Sequence, residues 1–359
     1  MDAATKTNPG NFFEDFTLGQ RIDHATPRTV TAGDRALYGA LYPTRFALPS
    51  SDEFAAACGL SPAPVEELIG FHIAFGKTVP DISLNAVANL GYAECRFRRP
   101  VRPGDTLRSS SEVIGLKENS NGRTGVVWVR STATDQQGRT AIDWARWVMV
   151  RKRDESAPAP EAVVPDLAPF VEPADLIVPD GLDLTAYDAV AAGSPFRFDD
   201  YEVGEKIDHV DGMTVEEAEH QLATRLYQNT AKVHFDVYAM KDSRFGKRLI
   251  YGGHVISLCR ALSFNGLENT LGILAFNGGQ HVSPTFAGDT LYAWTEVLDK
   301  QPLGDRQDLG ALRVRLVGAK NVATTADLPR QVEKDGKKRH HPSVVLDMDL
   351  WIAMPRRQG

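Results

Sequence analysis

The chain is written twice. Phe13-Glu14-Asp15-Phe16-Thr17-Leu18-Gly19, closing on Ile22-Asp23-His24, returns 185 positions later as Phe198-Asp199-Asp200-Tyr201-Glu202-Val203-Gly204, closing on Ile207-Asp208-His209. Thr29-Val30, Leu37 and Leu41-Tyr42 recur at the same offset as Thr214-Val215, Leu222 and Leu226-Tyr227. Pro100, Gly104-Asp105-Thr106-Leu107 and Glu112-Val113 match Pro284, Gly288-Asp289-Thr290-Leu291 and Glu296-Val297, now 184 apart. Asp143, Trp147 and Arg153 match Asp347, Trp351 and Arg357, 204 apart, so the second copy carries about 20 extra residues between Val317 and Val344. Ordered matches at near-constant spacing make this a duplication, and 359 residues suffice for two ordinary domains.

Each copy has the same grammar of a short polar segment, two helical stretches and then strands. In the second copy the pattern predicts helices over 216–227 and from Gly252 to about Phe264. Val255, Leu258, Cys259 and Leu262 there share one face at helical spacing. Leu312, Val314 and Leu316 alternate with Arg313 and Arg315, and Leu346, Met348, Leu350 and Ile352 with Asp347, Asp349 and Trp351, as in antiparallel strands buried on one face. The first copy offers a central helix near 68–76 and strands near 92–99, 106–116, 125–134 and 141–151. A long apolar helix followed by antiparallel strands predicts an α+β fold with a sheet wrapped around the helix. The expected layout is a first repeat over 1–153, a linker over 154–196 and a second repeat over 197–359. The linker holds Pro158, Pro160, Pro165, Pro169, Pro173, Pro179 and Pro195, which forbid a continuous helix or central strand. The polar insert Ala323–Ser343 reads as a surface loop, and its His340-His341 pair lacks partners at metal-ligand spacing.

A net charge of −7 argues against a nucleic-acid binder. No apolar run approaches the roughly 18 residues of a membrane span, and the first residues lack a signal-peptide core. Cys58, Cys95 and Cys259 are odd in number and far apart, as for reduced thiols. The expectation is a cytoplasmic protein that engages neither membrane nor nucleic acid.

The chemistry concentrates in 226–264 of the second copy. His234 follows Asn229 by five residues in loop-like sequence, then come Lys247-Arg248 and, at the start of a helix, Gly252-Gly253. A histidine can transfer protons near neutral pH. Glycines opening a helix let a substrate approach the free N–H groups at the positive end of the helix dipole. Tyr251, Gly253 and His254 flank this point and are expected against the substrate, and Lys247 and Arg248 against phosphates or a carboxylate. Asp236 is a candidate orienting partner for His234. His72 and His254, early in the two central helices, read first as packing or hydrogen-bonding groups. Arg96, Arg98, Arg99 and Arg102 read as a solvated strand face, with phosphate binding as the alternative.

These features resemble the MaoC-like dehydratases of the hot-dog fold. The paired Gly-Asp-Thr-Leu turns at 104–107 and 288–291 carry the resemblance, and it spans both copies. It implies two tandem hot dogs fused into a pseudo-dimer. R-specific enoyl-CoA hydratases of this group carry an Asp, then an Asn, then a His five residues after the Asp, and a later helix-initial Gly whose N–H meets the thioester oxygen. By resemblance His234 is the histidine and Gly252 the glycine. The acid position holds Asn229 and the Asn position Ala231, while in the first copy Thr44 and Pro49 stand where the acid and histidine would be. The runs Asn229–His234, Arg248–His254, Ala261–Gly266 and Phe276–Gly279 are similar to a branch whose enoyl-CoA substrate carries a second carboxylate. The resemblance thus implies one working site of His234, Asn229 and Gly252 acting as a CoA-thioester hydro-lyase. It implies no metal or redox cofactor, and a homodimer of pseudo-dimers. A general enoyl-CoA hydratase, a thioesterase and a non-catalytic acyl-CoA-binding protein remain open at this point.

Overall fold

In a computed structural model, which describes residues 6–322 and 327–357, the two copies share one sheet. The first contributes β1 (Arg21–Asp23), β2 (Arg28–Thr29), β3 (Ala86–Phe97), β4 (Thr106–Glu118), β5 (Thr124–Thr134) and β6 (Thr140–Arg151). The second contributes β7 (Lys206–Thr214), β8 (Gly272–His281), β9 (Thr290–Leu303), β10 (Arg306–Lys320) and β13 (Val344–Pro355), with β11 (Gln331–Lys334) and β12 (Lys337–His340) in a separate hairpin. The path is β1-β4-β5-β6-β3-β8-β13-β10-β9-β7, with β2 beside β4, and all pairs are antiparallel. Read from either end, equivalent strands follow in the same order. The seam is β3 against β8, where Tyr92 faces Gly279 and Cys95 faces Phe276.

The helices are α1 (Ala32–Leu41), α2 (Ala47–Ser50), α3 (Asp52–Ala57), α4 (Glu67–Thr78), α5 (Glu217–Leu226), α6 (Lys232–Phe235), α7 (Val237–Met240) and α8 (Gly252–Leu262). The central helices α4 and α8 lie in the main core with the inward residues of both halves. The spacing predicts one buried face for α8, yet every residue from Gly253 to Leu262 is buried. The cause is the first copy, since its α4 and the shared sheet leave α8 no solvent side. His72 of α4 meets Ser257 of α8, its counterpart 185 positions on, at 3.0 Å between Nε2 and Oγ. His72 and His254 are therefore not equivalent positions, as the shared early-helix placement had suggested. Equivalent residues touch only on a two-fold axis, so this pair marks the pseudo-dyad.

The apolar–polar alternation predicted for β10 and β13 sorts their side chains, but β13 is not buried on one face alone: all of it except Asp347 is buried, with Trp351 covered by Val171 of the inter-repeat stretch. Leu312, Val314, Leu350 and Ile352 face the core, and on the other face Arg313 makes a two-pronged ion pair with Asp349 at 2.9 and 2.8 Å. Between the repeats the chain forms no long helix or strand, only a bridge from Val163 to Leu116 and a series of turns, among them Pro173–Asp175 and 189–193. It is no slack tether: Val171, Leu182 and Leu184 are buried with Leu271, Leu274 and Trp351. Trp351 Nε1–H donates to the Val171 carbonyl at 2.9 Å, and Val171 N–H to Asn277 Oδ1 at 2.8 Å. The insert expected as a loop forms the β11–β12 hairpin, because Asp335-Gly336 takes the positive φ values (55° and 68°) of a tight two-residue turn. Its residues 323–326 lie outside the described residues.

Candidate functional site

The loop after α5 turns sharply and places Asn229 in the core, with its N–H on the Thr224 carbonyl at 2.9 Å. Asn229 Oδ1 accepts the Ala231 N–H at 3.2 Å. The short helix α6 carries His234. Its ring is fixed by Leu249, which donates its N–H to the Val233 carbonyl at 3.0 Å and offers its own carbonyl to His234 Nδ1 at 2.9 Å. A carbonyl only accepts, so Nδ1 carries the proton and Nε2 is left as the lone-pair nitrogen. Burial lowers the pKa of His234 to about 4 against a weaker upward pull from that hydrogen bond, so the ring is a neutral base at pH 7. The orienting partner is thus the Leu249 carbonyl. Asp236, expected in that role, instead caps α7 by accepting the Ala239 N–H at 2.9 Å.

Two residues beyond Leu249, Tyr251 caps α8, and Gly252 is the first helical residue, whose N–H has no intrahelical acceptor. Tyr251 N–H is held by His220 Nε2 at 2.9 Å. A Cβ on Gly252 would lie 2.4 Å from His281 Nε2, so only glycine leaves this corner open. On Gly253 a Cβ would press on the Tyr251 ring at 2.5 Å.

His234, Asn229, Tyr251, Gly252 and His281 line one cavity of about 330 Å³. Its other wall comes from the first copy and includes Phe75, Val79, Ser83, Asn89, Tyr92 and Arg146. The Tyr92 hydroxyl lies 3.3 Å from His281 Nε2 across the seam. The site is built between the halves, and mostly of apolar side chains.

The remaining expected residues lie elsewhere. Arg248 is engaged by Glu217 and Gln221, and Lys247 stacks on Phe286 with Nζ 4.1 Å from the ring centre; neither lines the cavity. His254 is buried behind it, its Nδ1 2.9 Å from the Tyr42 hydroxyl. Arg96 and Arg98 pair with Asp143 at 3.5 and 2.6 Å, and Arg99 with Asp105 and Asp135, which accounts for the basic strand face. Sequence reasoning missed His220, Tyr92 and Arg146. The signal for Arg146 was available: in β6 it shares a face with Ile142, Trp144, Val148 and Val150, all core residues. Among the described residues no three His, Cys, Asp or Glu side chains group to hold a metal ion.

A second cavity, of about 250 Å³, lies at the pseudo-symmetric place and holds Thr44 and Pro49 with Arg35, Tyr38 and Glu66. No histidine lines it. Beside it Glu66 meets Arg260 at 3.4 Å, and that guanidinium covers the Phe46 ring at 3.5 Å. Its charges are satisfied internally.

A doubled antiparallel sheet around two buried helices, with a neutral histidine facing a helix N-terminus, defines a double hot-dog hydro-lyase of the MaoC-like kind. The solved structure of a MaoC-domain dehydratase from Chloroflexus aurantiacus superposes with a TM-score of 0.95 at 58% identity, covering 99% of this chain and 100% of that one. A double hot-dog protein of Mycobacterium tuberculosis gives 0.72 at 26% identity, covering 96% and 98%. The chain matches the mesaconyl-CoA hydratase family over residues 1–324 and belongs to it. It is 62% identical over 351 residues to the mesaconyl-CoA hydratase of Cereibacter sphaeroides, covering 98% of this chain and 100% of that protein. It is 58% identical over 354 residues to the beta-methylmalyl-CoA dehydratase of Chloroflexus aurantiacus, covering 99% of each. Among the described residues no helix is long and apolar enough to cross a membrane.

Proposed function

We propose that this chain reversibly hydrates mesaconyl-CoA to β-methylmalyl-CoA in the His234 cavity. The observation that carries the mechanism is the single free lone pair of His234, held by its Nδ1–H bond to Leu249 in a cavity shared with the N-terminus of α8. In mesaconyl-CoA the double bond is conjugated with the thioester carbonyl, which draws electrons from the far carbon. Asn229, whose Oδ1 is committed to Ala231 N–H, positions water through its amide group, because an amide is no base at neutral pH. His234 Nε2 takes a proton from that water as the oxygen bonds the β-carbon. The double-bond electrons move to the thioester oxygen, where the Gly252 N–H stabilises the enolate. Such a preorganised donor contributes about 3 kcal/mol in other enzymes. The imidazolium then gives its proton to the α-carbon and the carbonyl reforms, so water is added whole and His234 is again neutral. Dehydration is the same path reversed.

The test is to incubate purified protein with mesaconyl-CoA, crotonyl-CoA and a medium-chain enoyl-CoA and follow the loss of enoyl absorbance. Preference for mesaconyl-CoA is expected. Equal rates on all three would mean a general enoyl-CoA hydratase, and no turnover of any would mean a binding protein.

A further inference from the structure

We propose that Arg146, from the first repeat, binds the second carboxylate of the substrate and so selects dicarboxylic over monocarboxylic acyl-CoA. This rests on the hydratase reading above. Arg146 is 0% exposed, yet it lines the cavity of His234. Its Nη2 donates to Thr78 Oγ1 at 2.8 Å, both Nη atoms reach Ser83 Oγ only at 3.5 Å, and Nε has no partner. The guanidinium lies over the Phe75 ring at 4.2 Å. Among the described residues no carboxylate pairs with it, whereas the buried Arg260 has Glu66 and Arg313 has Asp349. Burial pulls its pKa down to about 10, with the Tyr92 and Tyr251 phenols pulling the other way, so it stays charged at neutral pH.

An unpaired buried cation is costly, because the low-dielectric surroundings replace neither water nor counter-ion. It is also asymmetric. Arg146 sits opposite Tyr92 in the β6–β3 register, and the equivalent pair in the second copy is Leu350 opposite Phe276. Among the described residues, the cavity with the histidine holds a cation that no carboxylate pairs, whereas Arg35 of the other cavity pairs with Asp52 at 2.5 Å. The missing partner must therefore arrive with the ligand. A carboxylate oxygen can take the Nε–H, the donor that Thr78 and Ser83 leave open. In mesaconyl-CoA that carboxylate sits on the carbon that receives water, so an anion held by Arg146 also fixes the reacting carbon within the His234 cavity.

The experiment separates binding from turnover by using unreactive thioesters. Affinities for succinyl-CoA and butyryl-CoA, which differ in one carboxylate, are measured by calorimetry in the wild type and in Arg146→Gln. The wild type is expected to prefer succinyl-CoA by about tenfold to a hundredfold, the scale of a charge-assisted hydrogen bond. In Arg146→Gln the preference should vanish while butyryl-CoA binding stays within about threefold, the residual scatter expected of a site otherwise intact. The kcat/KM for mesaconyl-CoA should fall by a similar factor, and Arg146→Lys should restore part of the preference. A wild type that binds the two thioesters equally would overturn the proposal, and needs no variant to fold. So would an Arg146→Gln protein that keeps the preference. If the wild type prefers succinyl-CoA through Arg146 but leaves mesaconyl-CoA untouched, the anion site stands and the hydratase reading fails.

Discussion

The Tyr227 hydroxyl donates to the Tyr42 hydroxyl at 3.3 Å, and Tyr42 is the residue that repeats it 185 positions earlier. Tyr42 lies 2.9 Å from His254 Nδ1, so a chain of hydrogen bonds crosses the pseudo-dyad behind the cavity. All three residues are buried, and burial raises the pKa of both phenols and lowers that of His254 to about 3. The chain holds neutral groups together and carries no charge.

Removing its middle member should therefore act on stability more than on chemistry. Tyr42→Phe leaves the His254 nitrogen and the Tyr227 hydroxyl without a partner. The expected cost is about 1–3 kcal/mol, the range for orphaned buried polar groups. Urea unfolding measures it, with kcat for mesaconyl-CoA expected to stay within about threefold because no reacting atom loses its partner. A large loss of kcat at unchanged stability would place Tyr42 in the reaction path.

His234→Ala should lower turnover by at least about a hundredfold, the usual contribution of a general acid–base, with the fold intact. The active form is the neutral ring, and its free-enzyme pKa is lowered to about 4. Hence kcat/KM should stay level from pH 8 down to about 5. An unperturbed histidine would already have lost about 97% of its neutral form at pH 5. A limb centred near 6.5 in a pH-jump assay would contradict the buried, neutral assignment.

Stability should nevertheless fall with acid. Burial lowers the pKa values of His72, His209, His220, His234, His254 and His281 below the ordinary 6.5. A depressed folded-state pKa stabilises the fold above the unfolded value, and that stability is lost as pH drops toward the folded one. The urea midpoint should be level above about pH 7 and decline steadily from about 6.5 toward 4, because the unfolded chain takes up protons there. A midpoint unchanged from pH 7 to 5 would mean that these rings titrate normally in the fold.

Asn229→Asp tests why this chain departs from the acid of its wider family. The amide lies in the cavity that would receive a substrate carboxylate, and two carboxylates within about 4–6 Å repel and raise each other's pKa. The variant should hydrate mesaconyl-CoA less well while leaving crotonyl-CoA hydration unharmed or improved. The ratio of the two specificity constants in variant and parent decides it. If Asp raises both alike, Asn229 is merely a weaker form of the acid.

The duplication was legible because it lies in residue identities at fixed spacing, and so were α8 and the antiparallel strands. His234, Asn229, Tyr251 and Gly252 were legible as one locus because they fall within a single segment and share one cavity. Sequence distance hid the rest. Arg146 reaches that cavity from β6, placed by strand register against Tyr92, and no local pattern joins it to a loop 83 residues later. Lys247 and Arg248 look the better anion ligands by proximity, but Glu217 and Gln221 on the preceding α5 take up Arg248. The packing of the proline-rich stretch was also invisible, since it depends on Trp351 and Leu271 from the far end of the chain.

The seam between β3 and β8 has a consequence for stoichiometry. Two separate, identical chains must accept each substitution on both sides of their axis, so a gain in one pocket is imposed on the other. Here the two copies are joined by a continuous backbone and a shared sheet, and each position varies alone. One cavity kept a histidine and acquired an unbalanced positive charge, while the other closed its charges on themselves through Arg260 and Glu66. The fused molecule should therefore saturate at a single acyl-CoA for every chain, although its architecture contains two places where one could have been held.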